Sequence, residues 1–136
     1  MIIVDTSALL AFFDQSEGAH QAVSRLLTEA ERPLVVSAFV VAELDYLVMT
    51  RYGVRAEAKV LDELGSSAWR IELLTTDELV AATDLIRRYA DERIGLADAS
   101  NIILAHRYHT TEIATLDHRH FDHLRLPDNS SVSVVP

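Results

Sequence analysis

Short apolar or alternating runs recur along the chain, separated by longer stretches with helical periodicity. A run of consecutive apolar residues is typical of a strand buried on both faces, as in parallel sheets, and strict alternation is typical of a half-buried strand. The runs predict strands at Ile2–Val4, Leu34–Val36, Trp69–Leu74, Glu112–Leu116 and Ser131–Val135.

The stretches between these runs carry apolar residues at helical spacing and polar residues suited to helix starts. Ser37 is a candidate N-cap, and Thr75 with Glu78 forms the pattern of a capping box. The predicted helices are Ala8–Phe13, Ser16–Ala30 with Ser16 as cap, Ala38–Arg51, Arg55–Leu64, one from Thr75 to about Ala90, and Ile94–Tyr108. Alternating strands and helices predict one α/β domain over residues 1–136, with a mostly parallel central sheet and helices on both faces.

The last predicted helix is apolar on almost every side but contains Asp98 near its start. At about 3.6 residues per turn, Asp98 points in the same direction as Ile102 and Ala105. Ser100 and Arg107 lie on roughly the opposite side, which predicts that they face solvent. Buried carboxylates are usually neutralised, paired or bound to a metal, so Asp98 is a candidate site residue. The alternative is that it only complements the positive end of the helix dipole.

Three further acidic residues follow predicted strands. Asp5 and Asp117 come directly after strands, and Glu43 lies in the helix after the second strand, on a face shared with apolar neighbours. Each has a structural alternative: Asp5 as a helix cap, Glu43 as a side chain that extends to solvent, and Asp117 as a turn residue. In open α/β sheets, however, functional sites lie beyond the carboxyl ends of the strands, where all of these acids are expected.

Carboxylates that converge on one sheet edge repel one another unless a cation lies between them. Oxygen-only ligands favour Mg²⁺ or Mn²⁺, and such a site is well suited to phosphodiester hydrolysis. Thr6 or Ser7, at the predicted helix start, is placed to hold a water or a phosphate oxygen. A response-regulator receiver would need a lysine after a late strand, but the only lysine, Lys59, is in the middle of a predicted helix.

Composition narrows the functional class further. The chain has 12 basic and 21 acidic residues, a net charge of −9, which argues against broad electrostatic binding of nucleic acid. It has no cysteine, which excludes disulfides, thiolate catalysis and cysteine-ligated zinc. No apolar run is long enough to span a bilayer and no signal peptide is evident, so a cytoplasmic location is expected.

Four stretches carry a resemblance to a known family: IIVDTSALL at Asp5, VVAEL at Glu43, IGLADASNIILA at Asp98 and IATLDHRHF at Asp117. Together and in this order they resemble the PIN-domain family, specifically the VapC-type toxins of bacterial toxin–antitoxin pairs. The resemblance covers essentially the whole chain. It implies a PIN-like α/β fold and a metal-dependent endoribonuclease.

By this resemblance, Asp5, Glu43, Asp98 and Asp117 would be the catalytic, metal-binding acids, with Mg²⁺ or Mn²⁺ as cofactor and Thr6 ordering the first turn of the site. The substrate would be RNA, frequently tRNA or ribosomal RNA. A VapB-type antitoxin would cover the active-site groove, the toxin would form a homodimer, and DNA would be bound only indirectly, through the antitoxin. The alternative is a catalytically silent PIN-like module that binds RNA or its antitoxin.

Several other polar residues lie near these motifs. Arg93 and Arg119 are the candidates for contacts with RNA phosphates. Asp91 precedes Asp98 but lies in a loop-like stretch and is not assigned to the site. Asp122 is a second late acid, but Asp117 is preferred because it directly follows a predicted strand. His118, His120 and His123 are interpreted as a solvated surface cluster.

Overall fold

A five-stranded sheet forms the centre of the structure, a computed structural model that describes residues 1–136. Its strands are β1 (Ile2–Val4), β2 (Leu34–Ser37), β3 (Trp69–Glu72), β4 (Glu112–Ala114) and β5 (Ser133–Val135). The order across the sheet is β3-β2-β1-β4-β5, and every neighbouring pair is parallel. The carboxyl ends of all the strands therefore lie at one edge, and the predicted α/β class is confirmed.

Helices cover both faces of the sheet. They are α1 (Thr6–Phe13), α2 (His20–Thr28), α3 (Ala38–Tyr52), α4 (Val54–Leu64), α5 (Thr76–Arg88), α6 (Leu96–Arg107) and the single turn α7 (His118–Phe121). A 3₁₀ turn, Ala90–Glu92, connects α5 to α6. None of the helices is both long and apolar enough to cross a bilayer.

Strand β1 shows why the sheet has two separate cores. Ile2 and Val4 are buried with residues of α1 to α4, whereas Ile3 points the other way and is buried with α5, α6 and α7. Successive side chains of a strand point to opposite faces, so a strand covered on both sides must be apolar at every position. The central strand thus brings its carboxyl end, and Asp5 after it, between the two helix layers.

Two of the predicted caps are present. The Ser37 hydroxyl accepts a hydrogen bond from the Phe39 amide (3.1 Å) at the start of α3. Thr75 and Glu78 form the reciprocal capping box of α5, with distances of 3.0 and 3.1 Å. Both helices begin within one residue of the predicted starts, because cap chemistry is encoded locally.

Three local predictions were wrong. Ser16 does not cap a helix, because its amide and hydroxyl both bind the Asp14 carboxylate in a turn, and α2 begins only at His20. Ser100 does not face solvent: it is fully buried, and its hydroxyl bonds Ser37 Oγ at 2.6 Å. Strand β4 ends at Ala114 rather than Leu116, because the Leu116 amide donates to Ser7 Oγ (2.9 Å) instead of to a neighbouring strand.

Candidate active site

Asp5 lies at the carboxyl end of β1, in the N-cap position of α1, but its side chain caps nothing. Its Oδ1 accepts a hydrogen bond from Asn101 Nδ2 (2.9 Å), and its Oδ2 accepts from Thr115 Oγ1 (2.9 Å) and Ser7 Oγ (3.1 Å). The residue is only 4% exposed. The capping alternative for Asp5 is therefore not supported, and its carboxylate is instead oriented by side chains from distant parts of the chain.

Burial raises the pKa of Asp5, and the negative charge of Glu43 adds to this shift; the hydrogen bond from Thr115 is the largest opposing effect. A buried carboxylate is stabilised when it binds a proton or when a cation lies next to it.

Asp98 lies in the first turn of α6, and its side chain is 19% exposed. The inward direction predicted from helical spacing is consistent with this burial. Its Oδ2 accepts a long hydrogen bond from the Gly95 amide, at 3.4 Å, so the helix-start alternative accounts for one weak contact. Burial, and then the charge of Asp5, raise the pKa of Asp98 to about 6. The charge of Asp5 therefore acts on the Asp98 carboxyl group.

Asp117 lies three residues beyond β4 and caps α7, accepting a hydrogen bond from the His120 amide at 3.2 Å. Its other carboxylate oxygen is 3.0 Å from His120 Nδ1, and the same nitrogen is 3.5 Å from Asp98 Oδ2. The neighbouring acid Asp122 instead faces His118 at 3.5 Å, and both are exposed. Of the two late acids, Asp117 is the one that adjoins Asp98.

The interpretation of His120 as a surface histidine was wrong. Its side chain is 22% exposed and lies between two carboxylates, whereas His118 and His123 are exposed as expected. Sequence spacing alone could have indicated this position, because His120 is three residues after Asp117. That spacing carries information only in a helix, and the single turn α7 was not predicted.

Glu43 is exposed, which contradicts its predicted inward position. The inward face of α3 is formed by Val40, Leu44 and Val48, one turn apart, and Glu43 lies beside that stripe. Its negative charge nevertheless raises the pKa of Asp5, so Glu43 borders the same site from the open side.

Three buried polar atoms near the acids have no hydrogen-bond partner, namely Thr6 Oγ1, Asn101 Oδ1 and His120 Nδ1. Thr6 is only 4% exposed, at the start of α1 beside Asp5. Neither Asn101 nor Thr115 was predicted to belong to the site. The available signal was a polar residue at a position where the surrounding pattern is apolar, three residues after Asp98 and directly after Ala114.

A polar cleft borders the acids on one side. It is lined by Asp91, Glu92, Arg119, His120 and His123, so Arg119 is next to the site. Arg93, by contrast, is exposed with a left-handed backbone (φ 52°) after the 3₁₀ turn and does not line this cleft.

The side chains at this site have the chemistry of a divalent-cation site but not the spacing of a preformed one. No group of three or more His, Asp or Glu side chains lies close enough in this conformation to hold one ion, so binding one would require side-chain rotations. The available donors are nevertheless mostly carboxylate oxygens. Two of the carboxylates, those of Asp5 and Asp98, are largely buried and have raised pKa values. The unpartnered hydroxyl oxygen of Thr6, beside Asp5, is a further oxygen donor at the same site. This chemistry fits a hard cation such as Mg²⁺ or Mn²⁺.

Comparison with known proteins places this arrangement in a family. The family model described as PIN domain matches residues 2–126. A protein named Ribonuclease VapC26 from Mycobacterium tuberculosis is 50% identical over 135 residues, which are 99% of this chain and 100% of that protein.

Solved structures show the same fold at lower identity. The crystal structure of VapC20 from M. tuberculosis, described as a sarcin-ricin loop cleaving toxin, has a TM-score of 0.80 and 22% identity, covering 87% of this chain and 91% of that one. VapBC2 from Rickettsia felis, solved with a DNA fragment from its promoter, has a TM-score of 0.70 and 18% identity, covering 100% of both chains. The match of the PIN-domain model to nearly the whole chain, together with the half-identical VapC relative, shows that the chain belongs to the PIN-domain family, in its VapC-type branch.

Proposed function

We propose that this protein is an endoribonuclease that hydrolyses RNA phosphodiester bonds with the help of a divalent cation, and that it acts as the toxin of a VapBC-type pair. The observation that carries the proposal is the pairing of Asp5 and Asp98. These two largely buried acids come from distant parts of the chain and meet at the carboxyl edge of the sheet: Asn101, on the same helix as Asp98, bonds Asp5 at 2.9 Å, and the charge of Asp5 raises the pKa of Asp98. The proposal is supported by the family and by the relative named as a ribonuclease.

The residues proposed to hold Mg²⁺ or Mn²⁺ are Asp5, Glu43, Asp98 and Asp117. A bound cation of this kind acts as a Lewis acid, which lowers the pKa of a coordinated water and offsets charge on the phosphate. The protein's own contribution is to keep the acids fixed and partly dry before the cation arrives. The hydrogen bonds to Asp5 and the apolar layers behind Asp98 perform that task.

The substrate is proposed to be RNA, with tRNA and ribosomal RNA as the first candidates. Arg119 is placed to contact a phosphate because it lines the cleft that adjoins His120 and the acids. Arg93, which is exposed, is proposed as a second phosphate contact, and Thr6 is proposed to order the first turn of α1. The net charge of −9 fits a narrow binding track better than a broad one.

The partner is proposed to be a VapB-type antitoxin, with a homodimer as the form of the toxin and DNA contact only through the antitoxin. This follows from the family and from the solved relative that carries both an antitoxin and promoter DNA. Light scattering of the purified chain at micromolar concentration tests the dimer, and a monomer would contradict it.

Cleavage tests the proposal directly. Protein freed of antitoxin is incubated with structured RNA in Mg²⁺ or Mn²⁺, with EDTA added to parallel samples. Cleavage that requires the cation is expected, and Asp98→Asn should abolish it. Asp62→Asn makes the same chemical change at an exposed position on α4 and serves as the matched control. Undiminished cleavage by Asp98→Asn would refute the site, and RNA binding without cleavage by the wild type would favour the silent-module alternative.

A further inference from the structure

Asn101 is a fully buried polar residue in the middle of α6. Its Nδ2 donates to Asp5 Oδ1 at 2.9 Å, across 96 residues of sequence, and it is the only side-chain donor to that oxygen. The opposite oxygen, Oδ2, is held by Thr115 and Ser7. Each oxygen of Asp5 is therefore held from a different element, and without Asn101 the carboxylate would be anchored at one oxygen only.

The other end of the Asn101 amide distinguishes it from an ordinary buried polar residue. Its Oδ1 is buried without a partner, and an unsatisfied buried acceptor destabilises the folded state. Its neighbour Ser100 is equally buried, but the Ser100 hydroxyl is satisfied by Ser37 and by the Ala97 carbonyl. The Asn101 side chain is thus poorly suited to stabilising the core, while its amino group is well placed to orient Asp5.

Helix α6 also carries Asp98, three residues before Asn101, on the neighbouring turn. The same rigid element therefore presents one acid and holds another. A helix keeps two of its side chains at a fixed spacing, so Asn101 links the rotation of Asp5 to the position of Asp98.

We propose that Asn101 is a positioning residue that fixes the rotation of the Asp5 carboxylate so that Asp5 and Asp98 face a shared cation. This inference rests on the proposed function, because it assumes that the acids bind a divalent ion. Residues that orient metal ligands by hydrogen bonds commonly contribute about tenfold or more to metal affinity.

The test uses the full chain with Asn101→Leu, a near-isosteric apolar change that removes both the donor and the unsatisfied acceptor. Mn²⁺ binding is measured by electron paramagnetic resonance, and thermal unfolding is measured with EDTA and with Mn²⁺. We expect the unfolding midpoint in EDTA to stay close to that of the wild type, because the variant removes one unsatisfied acceptor, Asn101 Oδ1, but leaves Asp5 Oδ1 without its donor. We expect Mn²⁺ affinity to fall roughly tenfold or more, and the midpoint increase caused by Mn²⁺ to shrink accordingly.

Two further variants separate positioning from stability. Asn101→Ala removes the same donor with a smaller side chain and serves if the leucine variant does not fold; its Mn²⁺ affinity should fall to a similar extent. Ile103→Ala, a buried position two residues further along α6, should lower the midpoint but leave Mn²⁺ affinity unchanged. A structural role for Asn101 would instead move the midpoint and spare the affinity.

The outcomes distinguish this inference from the proposed function. If the wild type binds Mn²⁺ and cleaves RNA while Asn101→Leu binds Mn²⁺ with the same affinity, Asn101 does not position Asp5 and only this inference is overturned. If the wild type neither binds Mn²⁺ nor cleaves RNA, the proposed function fails and this inference fails with it.

Discussion

Replacing Asp98 by asparagine should stabilise the cation-free protein at neutral pH. The carboxyl group has a pKa of about 6 in the folded state against an ordinary value of 3.8, because it is buried and close to Asp5. Between these values the folded state binds more protons than the unfolded state, so stability falls as the pH rises. Above about pH 6 the full penalty of a charged Asp98 is present, and the uncharged asparagine side chain removes it.

The magnitude follows from the shift. A rise of about 2 pKa units corresponds to an upper limit of roughly 3 kcal/mol, at about 1.4 kcal/mol per unit. The side chain introduced by Asp98→Asn would keep an acceptor for the Gly95 amide but would bring an amide group of its own to be satisfied. We therefore expect a net gain of about 1–2 kcal/mol at pH 7.5.

Urea unfolding in EDTA measures this gain, with Asp62→Asn as the exposed control, for which a change below about 0.5 kcal/mol is expected. The difference between Asp98→Asn and the wild type should be mostly lost near pH 4, where Asp98 is protonated in the folded state and about half protonated in the unfolded state. Added Mn²⁺ should reverse the order, because only the wild type gains from the ion. A loss of stability at pH 7.5 in EDTA, or an equal gain at pH 4 and pH 7.5, would refute the reasoning.

Three further predictions concern other contacts. His120→Ala should raise the pKa of Asp98 above about 6, because the charge of His120 lowers that pKa in the wild type. Carbon NMR titration of the carboxyl groups measures the pKa, and an unchanged value would show that the contact is not electrostatic. Arg107→Ala should destabilise the fold by about 1–2 kcal/mol at pH 7, since Arg107 makes two hydrogen bonds to Glu78 and holds its pKa near 2. That contribution is complete above pH 4.5 and is lost as the pH falls towards 2. Urea unfolding should therefore give a smaller difference in stability between Arg107→Ala and the wild type at pH 3 than at pH 7. Equal differences at the two pH values would contradict the ion pair. Ser37→Ala should lower the free energy of unfolding by about 1–2 kcal/mol because it removes the N-cap of α3. Ser16→Ala removes a turn contact and no helix cap, so it should lower that free energy less. Urea unfolding measures both changes.

Most of the fold could be predicted from the sequence because its signals are local. Consecutive apolar residues such as Ile2–Val4 indicate a strand covered on both sides, and Thr75 with Glu78 marks a helix start wherever the rest of the chain lies. The acids Asp5 and Asp98 could be predicted as site residues for a similar reason, since each occupies a fixed position relative to a predicted element.

The rest of the site depends on contacts between residues far apart in sequence. The bonds from Asn101 and Thr115 to Asp5 span 96 and 110 residues, and no local pattern encodes such pairs. The outward position of Glu43 likewise follows from which side of α3 meets the sheet, which periodicity in a mostly apolar helix leaves ambiguous.

The strand order has a consequence for the moment at which the protein becomes active during synthesis. Strand β1 is made first but lies at the middle of the sheet, between β2 and β4, and β4 begins only at Glu112. While the ribosome is still adding the last quarter of the chain, one side of β1 is an unpaired edge, and Thr115 has not yet reached Asp5. A nascent chain at this stage has Asp5, Glu43 and Asp98 but lacks Asp117 and the bond from Thr115 to Asp5, so we expect the proposed site to stay incomplete until the final strands have docked.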